Sequence, residues 1–393
     1  MNILFTQTAY PPSVGGAQVH MHQLARQLSI RHSIRVACFW SETRTDWLLG
    51  TTWFAPNGEA YKIDDITVTP LGYSLVEKIK ISPWVLGYYL YKSTSIKKIA
   101  EKLIPQLRSI SEGIDIIHHG RVGRAPLAYA SLMLARDLRI PFVITPYHHP
   151  RWSHKFYKDY HQIYMEADAI NALTPYEVEM IEDLGVPRDK IHVTGTGGKV
   201  NSTHDANQFR KKYDLQGPIV LFIGQKYAYK GFSQLLDASR LIWEKFSNVN
   251  FVFIGPRTSY SRIKFSKYKD KRILELDTVS LETKTSALEA CDILCVPSTQ
   301  ESFGGVFVEA WYFQKPVIGA NIGAVSHVIT NGVDGYVGPQ ETTYIAEKVL
   351  KLLSDPLLCR QMGEAGNRKA ASKYSWAVLS EKSEEIYKHL IVK

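Results

Sequence analysis

The chain has 393 residues, 45% of them hydrophobic and 22% charged, with a formal net charge of +9. That length is too great for one compact core and suits two α/β domains, and the balanced composition excludes a low-complexity or disordered chain. The basic residues are spread over the whole length, with no arginine-rich arm, zinc-finger spacing or RNP-like aromatic motif. We therefore expect no nucleic-acid partner; a membrane surface or an anionic ligand uses the charge more naturally. No run approaches the roughly 18 uncharged apolar residues of a membrane span. Met1-Asn2-Ile3-Leu4-Phe5 reads as the start of a strand and not as a secretory leader. Cys38, Cys291, Cys295 and Cys359 are scattered, with no set of four converging ligands for zinc, so free thiols and a cytoplasmic setting are expected.

Ile3-Leu4-Phe5 turns through Tyr10-Pro11-Pro12-Ser13-Val14-Gly15-Gly16 into a helix with Val19, Leu24 and Leu28 on one face. Ile34 to Phe39 is the next strand. Between Glu77 and Lys102, the residues Lys78, Lys80, Lys92, Lys97 and Lys98 flank an aromatic centre of Trp84, Tyr88, Tyr89 and Tyr91. Two readings stand here. Basic residues beside interfacial aromatics suit docking on an anionic membrane, at the inner face of the cytoplasmic one. The other is an ordinary amphipathic helix, interrupted at Pro83 and Gly87, whose aromatics pack on their own domain. Ile114 to Ile117, Phe142 to Thr145, Ala169 to Leu173 and Ile191 to Val193 are further strands, with a helix from Leu127 to Leu138. Such alternation gives parallel βαβ units with both sheet faces covered.

Gly195-Thr196-Gly197-Gly198, followed by polar Lys199 to Gln208, is the linker candidate. It divides the chain into a domain over 1–198 and a second over 199–375. A second α/β series restarts at Ile219 to Gly224 and continues through Asn250 to Ile254, Ile293 to Val296 and Pro316 to Gly319. The charged amphipathic stretch from Trp376 to Ile391 is expected to be a helix that returns, within 376–393, to the first domain.

The sharpest chemical signal is Pro297-Ser298-Thr299-Gln300-Glu301-Ser302-Phe303-Gly304-Gly305-Val306-Phe307-Val308-Glu309-Ala310. A strand ends, a glycine-containing loop follows and a helix begins. Amides at a helix start carry partial positive charge and bind phosphate oxygens. Glu301 sits in the loop, and Glu309 about two turns later; taken alone, the pair also fits a helix cap and a surface ion pair. Lys230 closes Gly224-Gln225-Lys226-Tyr227-Ala228-Tyr229-Lys230-Gly231, where it is either a solvated lysine before a helix or a phosphate cation. Gly15 and Gly16 permit close approach of backbone to a phosphate, or simply a tight turn.

Glu301 to Glu309, Pro316-Val317-Ile318, Gly323 and Asn331-Gly332-Val333-Asp334-Gly335 resemble the signature block of the retaining, family-4 glycosyltransferases (glycosyl transferases group 1). Gly224 to Gly231 resembles that family's diphosphate loop, and Tyr10 to Gly16 its N-terminal glycine loop. The resemblance runs from Met1 to about Trp376. It implies an α/β chain of the GT-B fold, with two Rossmann-like domains whose parallel sheets face across a cleft, acceptor-side first and donor-side second. It also implies transfer of a hexose-type sugar from a nucleotide-diphosphate sugar to a glycan, lipid-linked or small-molecule hydroxyl, with retention.

By the resemblance, Glu309 accepts from the donor ribose, Glu301 contacts the transferred sugar, and the amides of Phe303, Gly304 and Gly305 hold the diphosphate with Lys230. Gly16 and Gln225 line the donor, and Leu276 to Val279 lie near its base. Asp115-Ile116-Ile117-His118-His119 is similar to a family strand-end motif and puts His118 at the acceptor side of the sugar, although a strand-end histidine is also often only hydrogen-bonded. His119 and Thr145-Pro146-Tyr147-His148-His149 are nearby candidates. The chain departs from the family at Gln225, where an arginine is usual and where Lys226 or Arg257 could substitute, and at His327, often a glutamate. No Asp-x-Asp occurs, so metal-independent, cofactor-free transfer is expected. The alternatives are a catalytically silent GT-B nucleotide-binding protein and a GT-B sugar-nucleotide epimerase. A nicotinamide dehydrogenase would want Gly-x-Gly-x-x-Gly after the first strand, which is absent.

Overall fold

The computed structural model describes residues 1–13, 15–40, 48–55 and 58–392. Val14 of the first glycine loop lies outside them. The chain forms two compact units, Met1–Thr196 with Trp376–Lys393, and Gly197–Ser375.

Among the described residues the first unit holds an eight-stranded sheet. Its strands are β1 (Asn2–Ala9), β2 (Ser33–Trp40), β3 (Tyr61–Ile63), β4 (Ile66–Pro70), β5 (Ile116–Gly120), β6 (Phe142–Thr145), β7 (Ala169–Ala172) and β8 (Ile191–Val193), in the order β3-β4-β2-β1-β5-β6-β7-β8. Every pairing is parallel except β3 with β4. Ile3, Leu4 and Phe5 of β1 and Ile116 and Ile117 of β5 are fully buried, because helices cover both faces. Gly16–Leu28 and Pro126–Leu138 are two of these helices. The helix Trp376–Val392 belongs to this unit as well, tied by Glu384 to Arg31 at 2.6 Å and by Tyr387 to His118.

The second unit holds a six-stranded, wholly parallel sheet of β9 (Ile219–Ile223), β10 (Asn250–Ile254), β11 (Ile273–Leu276), β12 (Ile293–Val296), β13 (Val317–Ala320) and β14 (Gly335–Gly338), ordered β11-β10-β9-β12-β13-β14. β9 and β12 are uninterrupted apolar runs and β10 is one after Asn250, as suits strands buried on both faces.

Several elements carry no clear pattern in the sequence. The β3–β4 hairpin is short, and its turn residues Asp64 and Asp65 take positive φ, 47° and 63°, rather than a glycine. β14 lies within the Gly335–Gly338 stretch, whose two glycines mask its strand character. Part of the polar linker is a helix, Ala206–Lys212, started by the Asp205 carboxylate accepting from the Gln208 amide at 2.9 Å. Gly197 and Gly198 go with the second unit rather than closing the first.

The lysine-rich segment divides between its two readings. The helix Leu75–Leu86 opens with a Ser74–Glu77 capping box, runs through Pro83 and ends at Gly87, and Lys92–Ala100 follows. Tyr88 is buried, its hydroxyl donating to the Arg124 carbonyl at 2.7 Å, and Trp84 packs on the core. Tyr89 and Tyr91 are exposed. None of the four cysteines forms a disulfide: Cys38, Cys291 and Cys295 are buried and Cys359 is half-buried. Cys295 lies in β12, whereas Cys291 caps the preceding helix. No helix of the described residues is long and apolar enough to cross a membrane.

Candidate functional site

The strand order of the second unit reverses between β9 and β12. The chain runs outward from β9 to β10 and β11, then returns to the other side of β9. Loops leaving the carboxyl ends of two such strands diverge to opposite faces, and the crevice between them is where open α/β sheets bind ligands. The loops at this point are 224–231 after β9 and 297–304 after β12, the two segments that the motifs single out.

The structure brings their charged residues together. Lys230 Nζ donates to Glu301 Oε1 at 2.5 Å, with the two side chains 16% and 17% exposed. The loops are stitched beneath this pair. The Tyr229 carbonyl accepts from the Thr299 amide and from Gln340 Nε2, both at 2.9 Å, and Gln340 also donates to the Pro297 carbonyl at 2.6 Å. Gly231 has φ 75°, and a Cβ there would stand 2.5 Å from the Pro297 oxygen, so no other residue lets the first loop close on the second. Gly304, at φ 89°, starts the helix Gly305–Tyr312, and no side chain caps it. The Phe307 amide bonds back to the Gly304 carbonyl at 2.9 Å, and the helix start carries the partial positive charge that suits an anion. Phe303 anchors the loop from below, buried edge-on against Tyr374.

Glu309 is 8% exposed. Its Oε1 accepts from Lys284 Nζ at 2.8 Å and from the Lys199 amide at 3.0 Å, and Lys284 also donates to the Lys199 carbonyl at 3.0 Å. The carboxylate therefore fastens the entering chain to two helices, Leu281–Ala290 and Gly305–Tyr312, in addition to any ligand contact.

Gln225, in the loop after β9, is half-buried. Neither expected substitute for an arginine there is at hand. Lys226 is fully buried, donating to the carbonyls of Gly255 at 2.7 Å and Leu276 at 2.6 Å and pairing with Glu275 at 3.2 Å. Burial pulls its pKa down. Arg257 reaches the other oxygen of Glu275 at 3.2 Å. Both cations brace the ends of β9, β10 and β11. Leu276 thus serves as a backbone acceptor at the end of an edge strand, and Asp277 beyond it accepts from the Arg257 and Thr278 amides. In the Asn331–Gly335 motif, Asp334 is buried in an ion pair with Lys369 and accepts from the Thr330 amide, a structural task. His327 is exposed, bonded to the Gly323 carbonyl at 2.7 Å.

In the first unit Gly16 is exposed at the start of the helix Gly16–Leu28, and a Cβ there would meet nothing within 4 Å. This end is open to a ligand, but the open space does not itself demand glycine. His118 lies in β5. Its ring is fully buried, with Nδ1 hydrogen-bonded to the Tyr387 hydroxyl at 2.5 Å and Nε2 to Thr145 Oγ1 at 2.8 Å. Burial holds its pKa well below the usual histidine value. β5 is covered on both faces, so its side chains lie within the packing. His119 is equally internal, bonded to Thr6 at 2.8 Å and the Arg121 carbonyl at 2.9 Å. His148 contacts Ser153 and Tyr164, and its amide donates to the buried Glu177 at 2.5 Å. His149 accepts from the Arg151 amide.

The family profile described as glycosyl transferases group 1 matches residues 204–369, and that of glycosyltransferase family 4 matches residues 14–197. The chain is a family-4 glycosyltransferase of the GT-B fold. The transferase is 24% identical over 332 residues to an uncharacterized glycosyltransferase of Methanocaldococcus jannaschii, covering 77% of this chain and 89% of that one. It is 29% identical over 194 residues to the phosphatidyl-myo-inositol mannosyltransferase of Mycobacterium leprae, where the match spans about half of each chain, 49% and 51%. Its fold is similar to the crystal structure of Anabaena HepE in complex with UDP and glucose, with TM-score 0.74, 16% identity and coverage of 99% and 100%. Two residues that shape the candidate site, Gln340 and Lys284, carry no sequence signal. Each acts on a partner far away along the chain, and neither belongs to a motif.

Proposed function

We propose that the transferase moves a hexose from a nucleotide-diphosphate sugar to a sugar, glycan or lipid-linked hydroxyl, with retention and without a metal ion or other cofactor. The observation that carries this reading is the meeting of Lys230 and Glu301 beside the uncapped start of the helix Gly305–Tyr312. In this reading the amides of Phe303, Gly304 and Gly305 hold the diphosphate, and Lys230 turns its remaining N–H donors to the phosphate oxygens. Glu301 keeps the lysine in place and accepts from hydroxyls of the transferred sugar. Glu309 accepts from the ribose, and Gly16 and Gln225 border the donor. The HepE complex with UDP and glucose is in keeping with such a donor.

The bond between the anomeric carbon and the phosphate oxygen breaks, and its electron pair leaves on the diphosphate. The acceptor oxygen bonds to the same face of the anomeric carbon and gives its proton to the departing phosphate oxygen. Charge on that oxygen peaks in the transition state, so a fixed, mostly buried ammonium lowers the barrier more than it tightens donor binding. A second reading, a silent nucleotide binder, is favoured by one observation only. Lys226 and Arg257, the two cations that could take the place of the usual arginine at Gln225, are both engaged on Glu275.

The test is release of nucleoside diphosphate from a panel of UDP-, GDP- and dTDP-sugars, with and without chelator. One donor class should be consumed at a rate that chelator leaves unchanged. Binding without release would favour the silent reading, and inhibition by chelator reversed by Mg²⁺ would contradict the metal-free one.

A further inference from the structure

The helix Leu75–Leu86 is apolar on two sides. Ile81 and Val85 face the core of the first unit, and Tyr88 follows them inward. On the outer side Val76, Ile79 and Leu86 are 59%, 60% and 84% exposed. The spacings 76, 79 and 86 put them on one stripe of the helix. Leu90 and Tyr91, whose amides both bond back to the Gly87 carbonyl, extend it into the following turn. The stripe then meets a second element. Lys92 Nζ donates to the Phe156 carbonyl at 2.7 Å and lies 4.3 Å from the centre of that ring, which is itself exposed.

Single exposed apolar residues need no explanation, whereas a continuous apolar strip marks a surface that is covered in use. Its charge says by what. From Leu75 to Lys102 there are six lysines against two glutamates, and both glutamates are engaged, Glu77 in the Ser74 capping box and Glu101 with Lys98 at 3.0 Å. The neighbouring segment adds exposed Arg151, Lys155 and Lys158, and its one carboxylate, Asp159, is buried beside Lys92. Exposed aliphatic groups bordered by cations, with their acids neutralised, match the acyl boundary and headgroups of an anionic lipid surface.

We propose that this face docks the protein reversibly on a bilayer containing anionic phospholipid. The test uses the full chain and vesicles of phosphatidylglycerol and phosphatidylcholine in equal parts, with pure phosphatidylcholine as control, and it needs no donor. The protein should sediment with the anionic vesicles only, and less so as salt rises. The combined change Ile79→Ser, Leu86→Ser and Leu90→Ser should weaken binding by about tenfold or more. Lys80→Gln, Lys155→Gln and Lys158→Gln should each weaken it by about fivefold. These side chains are exposed, so far-UV circular dichroism and the melting temperature should stay unchanged. Absence of sedimentation with anionic vesicles overturns the proposal, as does binding that both sets of changes leave intact. A wild-type dimer that the serine changes convert to a monomer overturns it too, since the strip would then belong to a second copy. Loss of donor turnover with vesicle binding preserved would bear on the transferase site and not on this surface.

Discussion

Both units carry polar side chains at the carboxyl ends of their central strands, and they place them differently. In the second unit Lys230 and Glu301 leave from loops beyond β9 and β12, meet at 2.5 Å and keep part of their surface exposed. In the first, His118 and His119 belong to β5 itself, where every polar atom of their rings finds a partner inside the unit. A parallel sheet covered on both faces leaves no solvent side for a residue within a strand, so chemistry is confined to the loops past its end. A polar residue one or two positions before that end becomes part of the core.

This contrast predicts separate outcomes for comparable substitutions. Lys230→Ala should lower turnover by about 10²–10³-fold with the fold intact, a loss typical of removing one transition-state donor; steady-state kinetics with a consumed donor measure it. Glu309→Ala should weaken donor binding by about 1–3 kcal/mol in titration calorimetry. Because Lys284 then loses its partner, Lys284→Met is the companion: a similar loss would show that the anchoring of the chain, rather than a ribose contact, sets the effect. His118→Leu should do the reverse of Lys230→Ala. It leaves the Tyr387 hydroxyl and Thr145 without a buried partner and should cost about 1–3 kcal/mol of stability in denaturant unfolding, with donor affinity kept.

Acid probes the first unit in another way. Lys388, and then Arg31, holds the Glu384 carboxyl down to about 2. A depressed carboxylate contributes stability that is complete above the usual carboxylate range and fades as pH falls through that range toward 2. Acid should therefore loosen the helix Trp376–Val392 from the first unit, and Glu384→Gln should flatten that part of the pH profile in thermal melts. The smallest effect is expected of Gln225→Arg, which should hold or modestly raise donor affinity. A severe loss of activity in a folded variant would mean that the diphosphate follows another path.

Much of this was legible in the sequence because it rests on local chemistry. Short apolar runs rich in β-branched residues, such as Ile219 to Ile223 before Gly224, read as buried strands, and Gly304 followed by Gly305 announces a helix start facing a loop. The chain did not advertise what depends on distant partners. Lys284 looks like any helical lysine until Glu309 lies beside it, and Gln340 is 111 residues from the Tyr229 carbonyl it binds. The partner of His118 is equally invisible, since the Tyr387 hydroxyl that it bonds comes 269 residues later. Lys226 and Arg257 looked free to replace an arginine only because Glu275, their common partner, gives no hint of its position.

The central claim, that the loops past β9 and β12 hold a diphosphate, is tested most directly by comparing two ligands. Affinities of UDP and of uridine, or of the pair whose base the donor panel selects, should be measured for the wild-type protein and for Lys230→Ala. Loss of affinity for the diphosphate with the nucleoside unaffected is the predicted result. Equal changes for both ligands, or none for either, would contradict the placement of Lys230 at the phosphates.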